Sequence, residues 1–154
     1  MRISWGFDAH QFGGQPPVRL AGVVVDPDRG IEATSDGDLV AHAVADALLA
    51  VAGLGDLGTV FPSDDPQWAG ADSMNLLGRV VTRCATVSID FVDVTVIAQD
   101  VRIAPHRAAI RDGLAAVLGI DQSRVAVKAT TTDRMGAIGA GEGIAAAVVI
   151  TALD

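Results

Sequence analysis

Apolar and polar positions alternate through Met1 to His10, the two-residue period of a strand with one buried face, and a second β-rich run follows at Val18 to Val25. The Gly13-Gly14-Gln15-Pro16-Pro17 segment between them has turn chemistry, so the pattern predicts a hairpin of these two strands. The period then changes. Leu39, Val40, Ala43, Ala47, Leu48 and Val51 recur at helical spacing, which predicts a helix over Leu39 to Ala52, opened by the Asp36-Gly37-Asp38 turn and ended by Gly53 and Gly55. From Asp56 to Asp72 the periodicity disappears among Gly, Pro and Asp, the composition of a long loop or lid. Asp72-Ser73 caps a helix running to about Thr86, and the β-branched segment Val87 to Gln99 reads as a strand. Pro105 to Leu118 reads as a third helix, ended by Gly119. A strand at Arg124 to Ala129, a Gly-rich stretch at Gly136, Gly139 and Gly141, and an apolar strand from Ile144 to Leu153 close the chain.

The order β-β-α-α-β-α-β-β predicts an α+β fold, a two-layer sandwich in which a mixed β-sheet is covered on one face by helices. Strands as apolar as Val92 to Ala98 and Ile144 to Leu153 need cover on both faces, so the second face is expected to pack against other copies of the chain. A length of 154 residues suits one domain, residues 1–154. Four Phe, two Trp and no Tyr leave the core to Val, Ile, Leu and Ala.

Charge narrows the function. Eleven Lys and Arg against 19 Asp and Glu give a net charge of −8, with no basic run, which argues against nucleic acid as a partner. An anionic ligand would need local cations or metals to offset that field. The single Cys84 excludes an intrachain disulfide and a multi-cysteine zinc site. No stretch of about 18 uncharged apolar residues and no signal-type leader is present, which predicts a cytoplasmic chain without a membrane span.

Asp8 and His10 lie two apart on a strand and share a face, and His42 sits one turn inside the first helix. One carboxylate and two imidazoles make an open divalent-metal site with a position left for substrate or water. The alternative is a turn-capping Asp beside structural histidines, but two of the chain's three histidines next to one Asp favour metal. Asp46, a turn after His42, either orients that imidazole or is an exposed helix carboxylate. Ser35-Asp36-Gly37-Asp38 suits a helix start and, with a cation, a phosphate. Lys128-Ala129-Thr130-Thr131-Thr132-Asp133 places a cation, hydroxyls and a carboxylate at a strand end, either structural or suited to a diphosphate with a hard metal.

Together with Asp56-Leu57-Gly58, Phe61-Pro62, Gly70-Ala71-Asp72-Ser73, Pro105-His106 and Gly141-Glu142-Gly143-Ile144-Ala145, these motifs resemble the 2-C-methyl-D-erythritol 2,4-cyclodiphosphate synthase family over nearly the whole chain. The resemblance implies a homotrimer with active sites between subunits, acting in non-mevalonate isoprenoid biosynthesis. The implied reaction is attack of the 2-phosphate of 4-diphosphocytidyl-2-C-methyl-D-erythritol 2-phosphate on its own β-phosphorus, with loss of CMP. It further implies Zn2+ or another divalent metal at Asp8, His10 and His42, and Mg2+ or Mn2+ at Asp133 with the diphosphate. Thr131 corresponds to a threonine that stabilises the transition state. Ala98, Ala104, Pro105, His106, Thr130 and Thr132 would belong to the cytidine pocket, Asp56, Gly58, Phe61 and Asp65 to the erythritol side, and Ser35 to a phosphate.

The chain also departs from that pattern. Thr34 stands where the family has a histidine beside the reacting phosphates, and losing such a donor costs on the order of 10²-fold in rate. That substitution motivates an alternative, a catalytically weakened trimeric relative that binds cytidine nucleotide and metal. Asp133 replaces a glutamate and is one methylene shorter. Ala137 and Ala140 replace a phenylalanine and an arginine lining a cavity on the trimer axis, so no isoprenoid diphosphate is expected to bind there.

Overall fold

A computed structural model describes residues 1–62 and 64–153. Ser63, within the predicted Phe61 to Asp65 segment, lies outside the described residues. The chain forms strands β1 (Arg2–Gln11), β2 (Val18–Leu20), β3 (Val23–Asp26), β4 (Ser88–Ile97), β5 (Val125–Thr130) and β6 (Gly143–Leu153). The helices are α1 (Leu39–Ala52), α2 (Leu57–Val60), α3 (Ser73–Arg83), α4 (Arg107–Leu118) and α5 (Gly136–Gly139). The main sheet runs β1-β6-β4-β5, antiparallel at the first two junctions and parallel at β4-β5, so it is the mixed sheet expected.

The predicted hairpin does not form. β1 instead pairs with β6 from Arg2 opposite Ala152 to Gln11 opposite Gly143, while Val18 to Asp26 folds back on itself as β2 and β3. The cause is local. Ala21 and Gly22, at φ 49° and 77°, form a tight turn that needs left-handed backbone at both central residues. The fully buried Asp38 carboxylate receives their N–H groups at 2.8 and 2.7 Å. Asp38 also accepts from Ala41 N at 3.1 Å, so one side chain caps α1 and pins the small hairpin to it. The predicted long loop contains α2 and a one-turn helix at Pro66–Trp68, begun by Asp56 and Asp65 respectively.

The core lies between the sheet and α1, α3 and α4. Val92, Val94 and Val96 of β4 and Ile144, Ala146, Val148 and Ile150 of β6 meet the helices there. β1 differs, because its large apolar residues point the other way. Ile3, Trp5 and Phe7 are exposed on the uncovered face, where Trp5 and Phe7 stack with ring centroids 5.6 Å apart. Phe91, Val149 and Leu153 are exposed too. Its inward residues are Ser4, Gly6, Asp8 and His10, and this polar edge carries the site.

Candidate metal centre and a second pocket

Gly6 sets the distance between β1 and α1. A Cβ there would lie 2.0 Å from the carbonyl oxygen of Ala43, so the strand approaches the helix backbone only because this residue has no side chain. Ser4 Oγ, on the same face, donates to Ala47 O at 2.6 Å. The next inward residues along the strand, Asp8 and His10, therefore meet His42 in the first turn of α1.

Asp8 Oδ2 lies 3.0 Å from His10 Nε2 and 2.9 Å from His42 Nδ1, and one ligand atom from each of the three residues lies within 4.8 Å of the others. Ligands about 2.0–2.1 Å from a tetrahedral zinc ion stand roughly 3.3 Å apart, so the spacing and donor set fit such an ion with little movement. The three side chains are half-buried. His10 Nδ1 is 3.1 Å from the carbonyl oxygen of Glu32, which can only accept, so Nδ1 carries a proton and Nε2 is the nitrogen that faces the site. On the far side of His42, Nε2 is 2.8 Å from Ser73 Oγ and 3.2 Å from Ser35 Oγ.

Burial would raise the pKa of Asp8, but hydrogen bonds and charge from His10 and His42 outweigh it and hold that carboxyl at about 2. The hydrogen bond to Asp8 raises the pKa of His10 against the opposing effect of burial. Asp46 does not orient His42. Its Oδ1 accepts from Leu57 N at 2.7 Å, which fastens α2 beside the site, and burial raises its own pKa.

A cavity of about 230 Å³ opens on this cluster, and Asp8, His10, Thr34, Ser35, His42, Gly58 and Phe61 line it together. Trp68 closes one side edge-on to Phe61, ring centroids 4.8 Å apart. Asp56 and Asp65 stay back, one accepting from Thr59 N at 2.7 Å and the other from Gln67 N at 3.0 Å.

The remaining predicted residues gather elsewhere. Ala98, Ala104, Thr130 and Thr131 line a separate cavity of about 290 Å³, with Pro105 and His106 next along the turn that starts α4. Thr132 Oγ1 donates to Met135 O at 2.8 Å. Asp133, at φ 49° and exposed, receives the Thr131 hydroxyl at 3.3 Å. Lys128 turns away to Asp93, 2.6 Å distant, and does not line the cavity. Its cations are Arg102 and Arg107, which sequence reasoning passed over although they flank Pro105-His106 in an acidic chain. The two cavities sit at the same end of the sheet but on opposite edges. The row Asp8–Ala146–Val96–Ala129 crosses from one to the other through three strand spacings, roughly 14 Å.

The α+β domain carries an Asp-His-His group that could hold a metal ion and, at the opposite sheet edge, a second pocket lined by two arginines, a donor set suited to an anionic ligand. The chain matches the YgbB family over residues 1–153, and it belongs to that family. The 2-C-methyl-D-erythritol 2,4-cyclodiphosphate synthase of Symbiobacterium thermophilum is 47% identical over 151 residues, 97% of this chain and 96% of that protein. The synthase of the same name from Escherichia coli is also 47% identical, over 97% of this chain and 95% of that protein. Among solved structures, the bifunctional IspDF from Campylobacter jejuni superimposes with a TM-score of 0.93 at 38% identity, covering 96% of this chain and 41% of that longer one. A CDP complex of Plasmodium falciparum IspF matches with a TM-score of 0.83 at 30% identity, covering 97% and 93% of the two chains.

Proposed function

We propose that this chain converts 4-diphosphocytidyl-2-C-methyl-D-erythritol 2-phosphate to 2-C-methyl-D-erythritol 2,4-cyclodiphosphate and CMP, in the cytoplasm and as a step of non-mevalonate isoprenoid biosynthesis. The observation that carries this reading is the Asp8–His10–His42 cluster opening, with Ser35, into one cavity of a chain nearly half identical to synthases of that name. An oxygen of the 2-phosphate forms a bond to the β-phosphorus, and the bond from that phosphorus to the α-phosphate oxygen breaks, releasing CMP. No protein nucleophile is required, so the chain contributes position and charge.

Asp8, His10 and His42 would hold Zn2+ or another divalent ion, and Asp133 would hold Mg2+ or Mn2+ arriving with the diphosphate, the two supplying positive charge to phosphate oxygens. Ser35 donates to a phosphate from the wall of the metal cavity. Thr131 meets the diphosphate where charge develops, Thr130 and Thr132 hold the neighbouring backbone, and Ala98 with Ala104 to His106 shapes the cytidine pocket. Gly58 and Phe61 enclose the erythritol moiety, with Asp56 and Asp65 holding the loop behind them.

A homotrimer with sites between subunits is supported by two features. The uncovered sheet face exposes Ile3, Trp5, Phe7, Phe91 and Val149 side by side, an apolar patch of the kind that a partner surface covers. The metal cavity and the cationic cavity lie on opposite edges of one sheet, so an edge-to-edge neighbour brings one of each together.

Incubating the purified protein with this substrate and a divalent metal should release CMP and the cyclic diphosphate, and His42→Ala should abolish release. Thr34, a neutral hydroxyl on the cavity wall, favours a second reading, the weakened relative that binds cytidine nucleotide and metal. Zinc and CMP binding without turnover would establish that reading.

A further inference from the structure

His10 and His42 reach the centre with opposite ring nitrogens, and each has an outer partner. For His10 that partner is a carbonyl, which fixes the tautomer by itself. For His42 it is the hydroxyl of Ser73, which can donate or accept and so fixes nothing alone.

Asp36 removes the ambiguity. Its carboxylate receives Ser73 N at 3.1 Å and Asp38 N at 3.2 Å, and the Ser73 hydroxyl makes a short hydrogen bond to its Oδ1. Ser73 is 1% exposed, so no water competes for that hydroxyl. A serine has one proton to give. With that proton donated to Asp36 and not along the longer 3.4 Å contact to Ser35 Oγ, Ser73 Oγ can only accept toward His42, with Ser35 Oγ at 3.2 Å a second acceptor; the proton of the neutral His42 ring then sits on Nε2, and the Nδ1 lone pair is left for a metal ion held together with Asp8.

From this bookkeeping, and resting on the reading of the cluster as a metal centre, we infer that Ser73, oriented by Asp36, is a positioning residue that sets the tautomer and ring plane of His42 for metal binding. The pair acts across three separate segments. Asp36 lies in the turn before α1, Ser73 opens α3 and His42 lies in α1, so docking of α3 onto that turn and formation of a competent metal site are one event.

The test uses zinc itself, in competition with a chromophoric chelator, on the whole protein. Ser73→Ala should bind zinc 10–100-fold more weakly than the wild type, the range found when an outer hydrogen-bond partner of a metal ligand is lost. Ser73→Thr, which keeps the hydroxyl, should restore affinity to within about threefold of the wild type. In the unmutated zinc-loaded protein, long-range proton–nitrogen NMR should show His42 protonated at Nε2 and ligated through Nδ1, a readout that survives if Ser73→Ala fails to fold. Equal zinc affinity in the wild type and Ser73→Ala, or a His42 ring protonated at Nδ1, would overturn the inference while leaving the metal centre in place. Failure of the wild type to bind zinc would overturn both.

Discussion

Replacing Gly6 by alanine tests whether the closeness of β1 to α1 is what assembles the site. The added Cβ would meet Ala43 O at 2.0 Å, Ala47 N at 2.9 Å and Ala43 C at 3.0 Å, all of them backbone atoms that cannot rotate away. Restoring an ordinary contact of about 3.4 Å requires β1 and α1 to separate locally by roughly 1.4 Å. The Ser4–Ala47 hydrogen bond, 2.6 Å long and two residues away, then stretches out of range, as does the 2.9 Å contact that joins Asp8 to His42 across the same gap.

Overpacking costs about 1–3 kcal/mol, and the lost hydrogen bond adds about 1. Reduced freedom of the unfolded chain returns somewhat less than 1, which leaves a net loss of about 1–3 kcal/mol. For a domain of this size that is a fall in Tm of roughly 2–12 °C. Because two of the three ligands ride on β1 and the third on α1, zinc affinity should drop at least tenfold as well. Urea unfolding of the metal-free protein at one fixed concentration, with chelator competition for zinc, measures both. Gly78→Ala is the control, since its Cβ would meet only Val117 Cγ2 at 3.8 Å and a helix prefers alanine. If Gly6→Ala unfolds within about 1 kcal/mol of the wild type and binds zinc equally well, the close approach is not what builds the centre.

Asp38→Ala strips the acceptor from three backbone N–H groups and should cost about 3–5 kcal/mol in urea unfolding, with the β2–β3 turn losing hydrogen-exchange protection first. Thr34→His should raise kcat for CMP release by up to about 10²-fold without changing zinc affinity; an unchanged kcat would mean that another group already supplies that charge. Zinc must displace the His10 proton, whose pKa Asp8 raises, so apparent affinity should begin to fall while the pH is still above 6.5 and then drop about tenfold per unit for each proton displaced. In the metal-free chain the same pair stabilises between the two titrations. Asp8's share is present above its ordinary 3.8 and lost as pH falls through about 2, and His10's is full below 6.5 and lost as pH rises through its raised value. Mass spectrometry of the purified protein should find no retained geranyl diphosphate, since Ala137 and Ala140 offer neither the ring nor the cation expected of that cavity.

Helix α1 could be read residue for residue because its apolar spacing, its Asp cap and its terminal Gly53 all agree. The same agreement located the other long strands and helices to within a few residues of their ends. The hairpin misreading has a different origin. Strand periodicity says which residues face one way but not which strand lies alongside, and the partner of β1 is some 140 residues distant in sequence. Sequence also hid Ser73. Asp72-Ser73 reads as a helix cap, and Asp72 does cap α3 through Asn75 N at 2.8 Å, but nothing local indicates that the next hydroxyl turns inward to a histidine from another helix.

The Thr130 to Asp133 run is legible as a polar strand end, but Lys128, the cation that the sequence places beside it, does not line the pocket. Lys128 and Thr130 lie on the same face of β5, so alternation alone places a positive charge beside the hydroxyls. Asp93, two residues before Thr95, the β4 partner of Lys128, captures that charge. The guanidinium groups of Arg102 and Arg107 come instead from the connection after β4, which folds over the strand end. In a chain of net charge −8 this division matters. The ammonium is spent holding the sheet, while the two fork-shaped cations suited to phosphate are kept on the segment that forms the pocket wall.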